Sequence, residues 1–173
     1  MSQKPSVRAQ RLNLADVVSD KLHRLHRLWV ARRGTRRWPA FADFSTEDLA
    51  FTEDTMTLVD VLHDPLHFRM RRIGPSIEEL RGPGDQGKLV DEIEPPIYGA
   101  VLRATYTEAL NAAEPSFHLV QFLPGVRPAR FPLAYERAIL PLSNLSVAID
   151  MLLVATDWSE AITADLRRYH TEG

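Results

Sequence analysis

Leu58-Val59-Asp60-Val61-Leu62, then His63-Asp64-Pro65, then His67-Phe68-Arg69-Met70-Arg71-Arg72-Ile73 is the stretch that decides the fold. Both outer runs are rich in branched and aromatic residues. The Asp-Pro between them favours a turn, because Pro cannot continue a paired strand, so the reading is a β-hairpin. Alternation in the second run puts Phe68, Met70 and Arg72 on one face and Arg69, Arg71 and Ile73 on the other.

Working outward, residues 74–91 hold Gly74, Pro75, Gly82, Pro83, Gly84 and Gly87. There is room among them for a short helix at 76–80, with a helical turn within 88–93. A central helix follows at 97–113, apolar through Val101, Leu102, Ala104, Tyr106 and Leu110 and ended before Pro115. Three more strands are expected at 117–123, 135–142 and 147–156. The last is the least polar and so the most central. Asp150 alone interrupts it, and a buried carboxylate there needs a partner, with Arg137, Arg69 or Arg71 as the candidates.

On the other side of the hairpin, residues 1–12 are polar and expected to fray. A helix is expected from Asn13 to Gly34, with Leu14, Val18, Leu22, Leu25 and Trp29 in one stripe at helical spacing. That stripe either packs on the body of the domain or pairs with the same helix of a second chain. The expectation adopted is a homodimer through these five residues. Trp38 to Phe44 reads as an extended connector, and Ser45 as the N-cap of a short helix at 46–50. The organisation is a flexible N-terminus (1–12), a helix and connector (13–57), a sheet domain (58–158) and a C-terminal helix (159–173).

The chain has 173 residues and no cysteine, which excludes disulfides, thiolate metal sites and a cysteine nucleophile. No run is apolar enough to span a membrane, and a cytoplasmic protein is expected. Charge is unevenly spread. Residues 1–40 carry ten Lys and Arg against two Asp, while the remainder carries eleven against twenty-one acidic residues. Such a basic segment either meets an anionic partner or pairs with the acidic body of its own chain. The second is preferred, and no specific nucleic-acid binding is expected.

The order of motifs is also informative: Trp29 to Arg33 closing the first helix, then Pro39 with Asp43 and Phe44. After these come Phe68-Arg69-Met70-Arg71-Arg72-Ile73-Gly74 and Glu136-Arg137-Ala138-Ile139-Leu140-Pro141-Leu142. This pattern resembles a divergent bacterial branch of the PAS domain family. Two features depart from it: Gly74-Pro75 stands where the branch has Gly-Thr, and Lys88 stands where a Gly-Arg or Gly-Lys pair is common. The resemblance implies an α+β fold with a five-stranded antiparallel sheet in the order 2-1-5-4-3 and helices on one face, plus terminal helices. It also implies a sensory or regulatory module that binds a small molecule between sheet and helices, or serves only for dimerisation and docking to a signalling partner.

Catalytic and cofactor signatures are sparse. A flavin photosensor of this family needs a cysteine, and the central helix has no histidine for haem. His63 and His67 are separated by Pro65, which argues against a helical metal pair. Residues 82–88 lack the ending of a phosphate-binding loop and read as a lid. No nucleophile, metal set or acid–base pair emerges, so catalysis is not expected, and no cofactor beyond an unidentified small ligand. The expected pocket lies between the sheet and the 97–113 helix, under the 82–87 loop. Its wall is Tyr106, Leu110, Phe117, Leu119, Gln121, Ala138, Leu140 and Met151, with Arg71 or Arg137 as the polar handle. A one-residue slip of register would turn the other face inward.

Overall fold

The computed structural model describes residues 7–122, 132 and 134–159. Their elements are β1 (Val7–Leu12), α1 (Asp20–Arg33), α2 (Thr46–Leu49), β2 (Met56–Leu62), β3 (His67–Ile73) and α3 (Pro75–Arg81), followed by α4 (Pro96–Ala112), β4 (Ser116–Phe122), β5 (Ala134–Leu142) and β6 (Met151–Asp157). The fold is α+β, built on one open antiparallel sheet in the order β1-β4-β5-β6-β2-β3. It has six strands, not five. The extra one is β1, which falls in the segment expected to fray: Val7 to Leu12 pair in full register with Phe122 to Phe117. Numbered without β1, the remaining strands run in the order 2-1-5-4-3. The expected C-terminal helix lies outside the described residues.

Helices cover both faces of the sheet rather than one, because β5 and β6 are buried at every position and a strand hidden on both sides needs cover on both. One face carries Tyr135, Arg137 and Ile139 opposite Thr156 and Val154, and α3 and α4 lie over it. The other carries Glu136, Ala138 and Leu140 opposite Asp157, Ala155 and Leu153, and α1 covers it. Helix α4 buries Tyr98, Leu102, Thr105, Tyr106 and Ala109, a stripe at helical spacing.

Helix α1 starts at Asp20, seven residues later than expected. Ser19 is its N-cap and accepts from the Leu22 N–H, while Asn13 precedes only a short 3-10 turn at Leu14–Asp16. The delay follows from tertiary contact, because the N–H groups of Val18 and Ser19 donate to the Glu136 carboxylate on β5. Leu14 and Val18 are therefore off the helix, and Val18 is exposed. Leu22, Leu25 and Trp29 are 0, 0 and 1% exposed within the single chain, and Trp29 Nε1 donates to the Pro141 carbonyl at 2.9 Å. The five residues thus do not form one helical stripe on the surface. Their three helical members already cover the sheet.

The hairpin β2–β3 contains a bulge. Leu58 pairs with Arg72 and Val59 with Met70, so Arg71 has no opposite number. One extra residue reverses the facing of everything beyond it. Ile73, not Arg72, therefore joins Phe68 and Met70 on the α4 face. The strand expected at 147–156 begins only at Met151, and Val147 is 85% exposed in the preceding loop.

Gly99 sits where α4 crosses the turn at 90–93. A Cβ there would lie 2.8 Å from the Val90 carbonyl oxygen. Gly99→Ala should push α4 off this turn and lower stability by about 1–3 kcal/mol, despite alanine's better helix propensity. Urea denaturation checks this, and an unchanged or raised midpoint would contradict the close packing.

Candidate functional site

Between the sheet and the helices α3 and α4 lies a cavity of about 30 Å3. Its floor is Thr57 from β2, Met70 and Ile73 from β3, Tyr135 and Arg137 from β5, and Val154 and Thr156 from β6. Ile77, Arg81, Ile93, Tyr98, Leu102 and Tyr106 close it from above. Alternation explains the floor, since positions two apart on each strand point the same way. The bulge at Arg71 is what brings Ile73 into it. A second hollow of about 160 Å3 near α2 is larger but polar and open, and its Glu53 and Arg72 are ion-paired with each other.

Of the expected wall, only Tyr106 and the handle Arg137 line this cavity. Phe117, Leu119, Gln121, Ala138, Leu140 and Met151 share one face, but it is the α1 face: they alternate with His118, Val120, Arg137, Ile139 and Leu152 along the paired strands. His26 of α1 packs edge-on against Phe117 at 5.7 Å. The register slip that would turn the other face inward is the arrangement found. Leu110 is partly buried against the core without lining the cavity. Arg71 pairs with Asp60 at 2.7 Å.

The 82–88 loop is no lid over this cavity, because none of its residues lines it. It lies along the edge of β3, where the Met70 N–H donates to the Lys88 carbonyl and the Gly87 N–H to the Met70 carbonyl. Asp150 precedes β6 and is not a partner of Arg137. Its carboxylate accepts from the backbone and side-chain nitrogens of Asn144. His63 and His67 part ways, one bonded to the Ile149 carbonyl and the other 3.6 Å from Asp91. Among the described residues no group of three or more His, Cys, Asp or Glu is placed to hold a metal ion.

Arg137 is the chemically distinctive residue of the cavity. It is 1% exposed. Its Nη2 donates to Thr105 Oγ1 at 2.6 Å, and its guanidinium carbon lies 5.7 Å from the Tyr106 ring centre. Its Nε has no partner among the described residues. Burial, then the charge of Arg137, lowers the neighbouring His118 to a pKa of about 4, so that imidazole is neutral at physiological pH. Burial also raises Tyr106 and Tyr135, which remain protonated hydroxyls. Arg81 pairs with Asp85 at 2.6 Å and stacks over Tyr98, and its Nη1 has no partner among the described residues.

On the α1 face, two buried carboxylates meet the start of α1. Glu136 takes the N–H groups of Val18 and Ser19, and the Ser19 hydroxyl donates to Asp157 at 2.5 Å. Burial raises the Glu136 pKa. Burial pushes Asp157 the same way, but hydrogen bonds from Ser19 and Ser159 and the charge of Lys21 outweigh it, and the net shift is downward. Part of the basic segment is matched within the chain: Arg11 with Glu108, Arg32 with Asp48, Arg33 with Glu114 and Arg36 with Asp43. Arg24 and Arg37 lie over Phe51 and Trp38.

No helix among the described residues is long and apolar enough to cross a membrane. No protein-family model matches the chain, and no curated protein is significantly similar to it.

Ser19→Ala removes both the cap of α1 and the donor to Asp157, at a cost of about 1–2 kcal/mol. The folded pKa of Asp157 lies below its ordinary 3.8. The stabilisation from its carboxylate is therefore complete above that value and lost as pH falls through the folded pKa. The cost of Ser19→Ala should accordingly shrink between neutral pH and the acid end of this range. Thermal melts across pH test this, and a cost that stays constant or grows on acidification would contradict it.

Proposed function

We propose that the chain is a non-catalytic, PAS-like sensory or regulatory module that binds a small ligand between α4 and its sheet. The observation that carries this is the cavity, whose apolar walls enclose a few polar groups (Arg137, Arg81 and three tyrosines), the usual composition of a small-molecule site. The 2-1-5-4-3 order of β2 to β6 supports the PAS-like reading, with β1 as an addition at one edge. Drug-sized ligands occupy sites of roughly 300–1,000 Å3, so at about 30 Å3 the ligand is far smaller than a flavin or haem. Occupancy would be passed on through α1 or α4, which grip opposite faces of β5.

That same volume favours a second reading, an interaction module with a filled core that docks a signalling partner and takes no ligand. The two separate experimentally. A thermal-shift screen of small polar molecules should find some that raise the melting temperature of the wild type. None should do so for Leu102→Phe, which fills the cavity at an overpacking cost of about 1–3 kcal/mol. If no molecule acts on the wild type, and native mass spectrometry gives only the bare chain, the filled-core module is the correct reading.

A further inference from the structure

Arg137 carries a charge that the described protein does not balance. Among the described residues no carboxylate forms an ion pair with it, and no carboxylate lines the cavity. Its adjacent Glu136 lies on the opposite face of the sheet, bonded to the start of α1. A buried lysine or carboxyl group could shed its charge by titrating, whereas a guanidinium does not. A buried, unpaired charge is among the costliest arrangements a core can hold. The compensation present is slight: one hydroxyl acceptor, whose own hydrogen is taken by the backbone of α4, and the face of Tyr106. Arg137 Nε remains unsatisfied, as does Nη1 of Arg81, and both residues line the same cavity.

Resting on the ligand-binding reading above, we propose that the cavity takes a small monovalent anion, of the formate, nitrate or acetate class, held by Arg137 and Arg81. One unbalanced positive charge calls for one negative charge, because Arg81 is already paired with Asp85, a carboxylate it shares with the exposed Lys88. Size follows from the volume. One water needs roughly 10–15 Å3 of such space, so about 30 Å3 suits a molecule of roughly three or four heavy atoms. The planar, two-oxygen edge of these anions matches the geometry of a guanidinium. The protonated hydroxyl of Tyr106 adds donor character to the walls, and His118 beside Arg137 stays uncharged and does not compete for the anion.

The test is thermal stability in sodium formate, nitrate or acetate. Ionic strength is held with sodium gluconate, which is too bulky for the cavity, and formamide and acetamide serve as neutral counterparts. The wild-type melting temperature should rise with the logarithm of anion concentration. A hundredfold excess over Kd should raise the folded-to-unfolded ratio about a hundredfold. Arg137→Met should fold, be at least as stable in gluconate alone, and not respond to the small anions. An equal response in Arg137→Met overturns the inference. Equal responses to formamide and acetamide overturn it too, while leaving the small-ligand reading intact. No response to any of the five molecules overturns the anion inference, and the broader thermal-shift screen then decides the ligand reading separately. If Arg137→Met does not fold, an NMR titration of wild type with formate decides. The Arg137 Nε–H signal, assigned through Arg137→Lys, should shift, and an unmoved signal overturns the proposal.

Discussion

The pairing of β5 with β6 is the constraint that the remainder of the structure answers to. All residues of both strands are buried, so neither face can be left to solvent. Each face demands a helix. Helix α4 supplies one, and α1 supplies the other with Leu22, Leu25 and Trp29. Burying each such side chain contributes about 1.5–3 kcal/mol, so the three together approach the whole net stability of a typical domain. A helix held that strongly is part of the fold and not an appendage awaiting a partner. This is why Leu22, Leu25 and Trp29, which read as part of a dimer seam, are core.

Much of the fold was legible because its signals are local. The hairpin, the short capped helix after Ser45, the central helix bounded by Pro96 and Ala112, and the presence of three strands after it follow from turn chemistry and periodicity. What was illegible has specific causes. Ala134 to Leu142 are buried on both faces, so polar–apolar alternation, the usual guide to facing, is absent. The expected pocket wall is therefore a coherent face, but the one that meets α1. The bulge at Arg71 is one extra residue whose placement depends on the partner strand. β1 was missed because an edge strand such as Val7-Arg8-Ala9-Gln10-Arg11-Leu12 is polar enough to pass for a frayed end, though its Val7 and Ala9 spacing was a usable hint.

The start of α1 illustrates how tertiary contact overrides a local rule. Asn13 and Ser19 are both good N-caps. Only Ser19 lies beside Glu136 and Asp157, which accept its N–H and its hydroxyl hydrogen. Negative charge at a helix N-terminus is favourable, and burial keeps water from screening it. The sheet thus selects the cap, and Val17, two residues before it, is left extended.

Glu136 and Arg137 are neighbours in sequence, and as an ion pair they would be unremarkable. Strand geometry forbids it: consecutive side chains point to opposite faces, with the whole sheet between them. Each must find its complement alone. Glu136 finds three hydrogen bonds from two backbone N–H groups at the N-terminus of α1. Arg137 finds one hydroxyl and a ring. The carboxylate is thus satisfied by the protein and the guanidinium is not, although both are 1% exposed. That imbalance, created by a two-residue sequence and a pleat, locates the candidate site. It also joins that site through one peptide unit to Glu136 and so to the cap of α1.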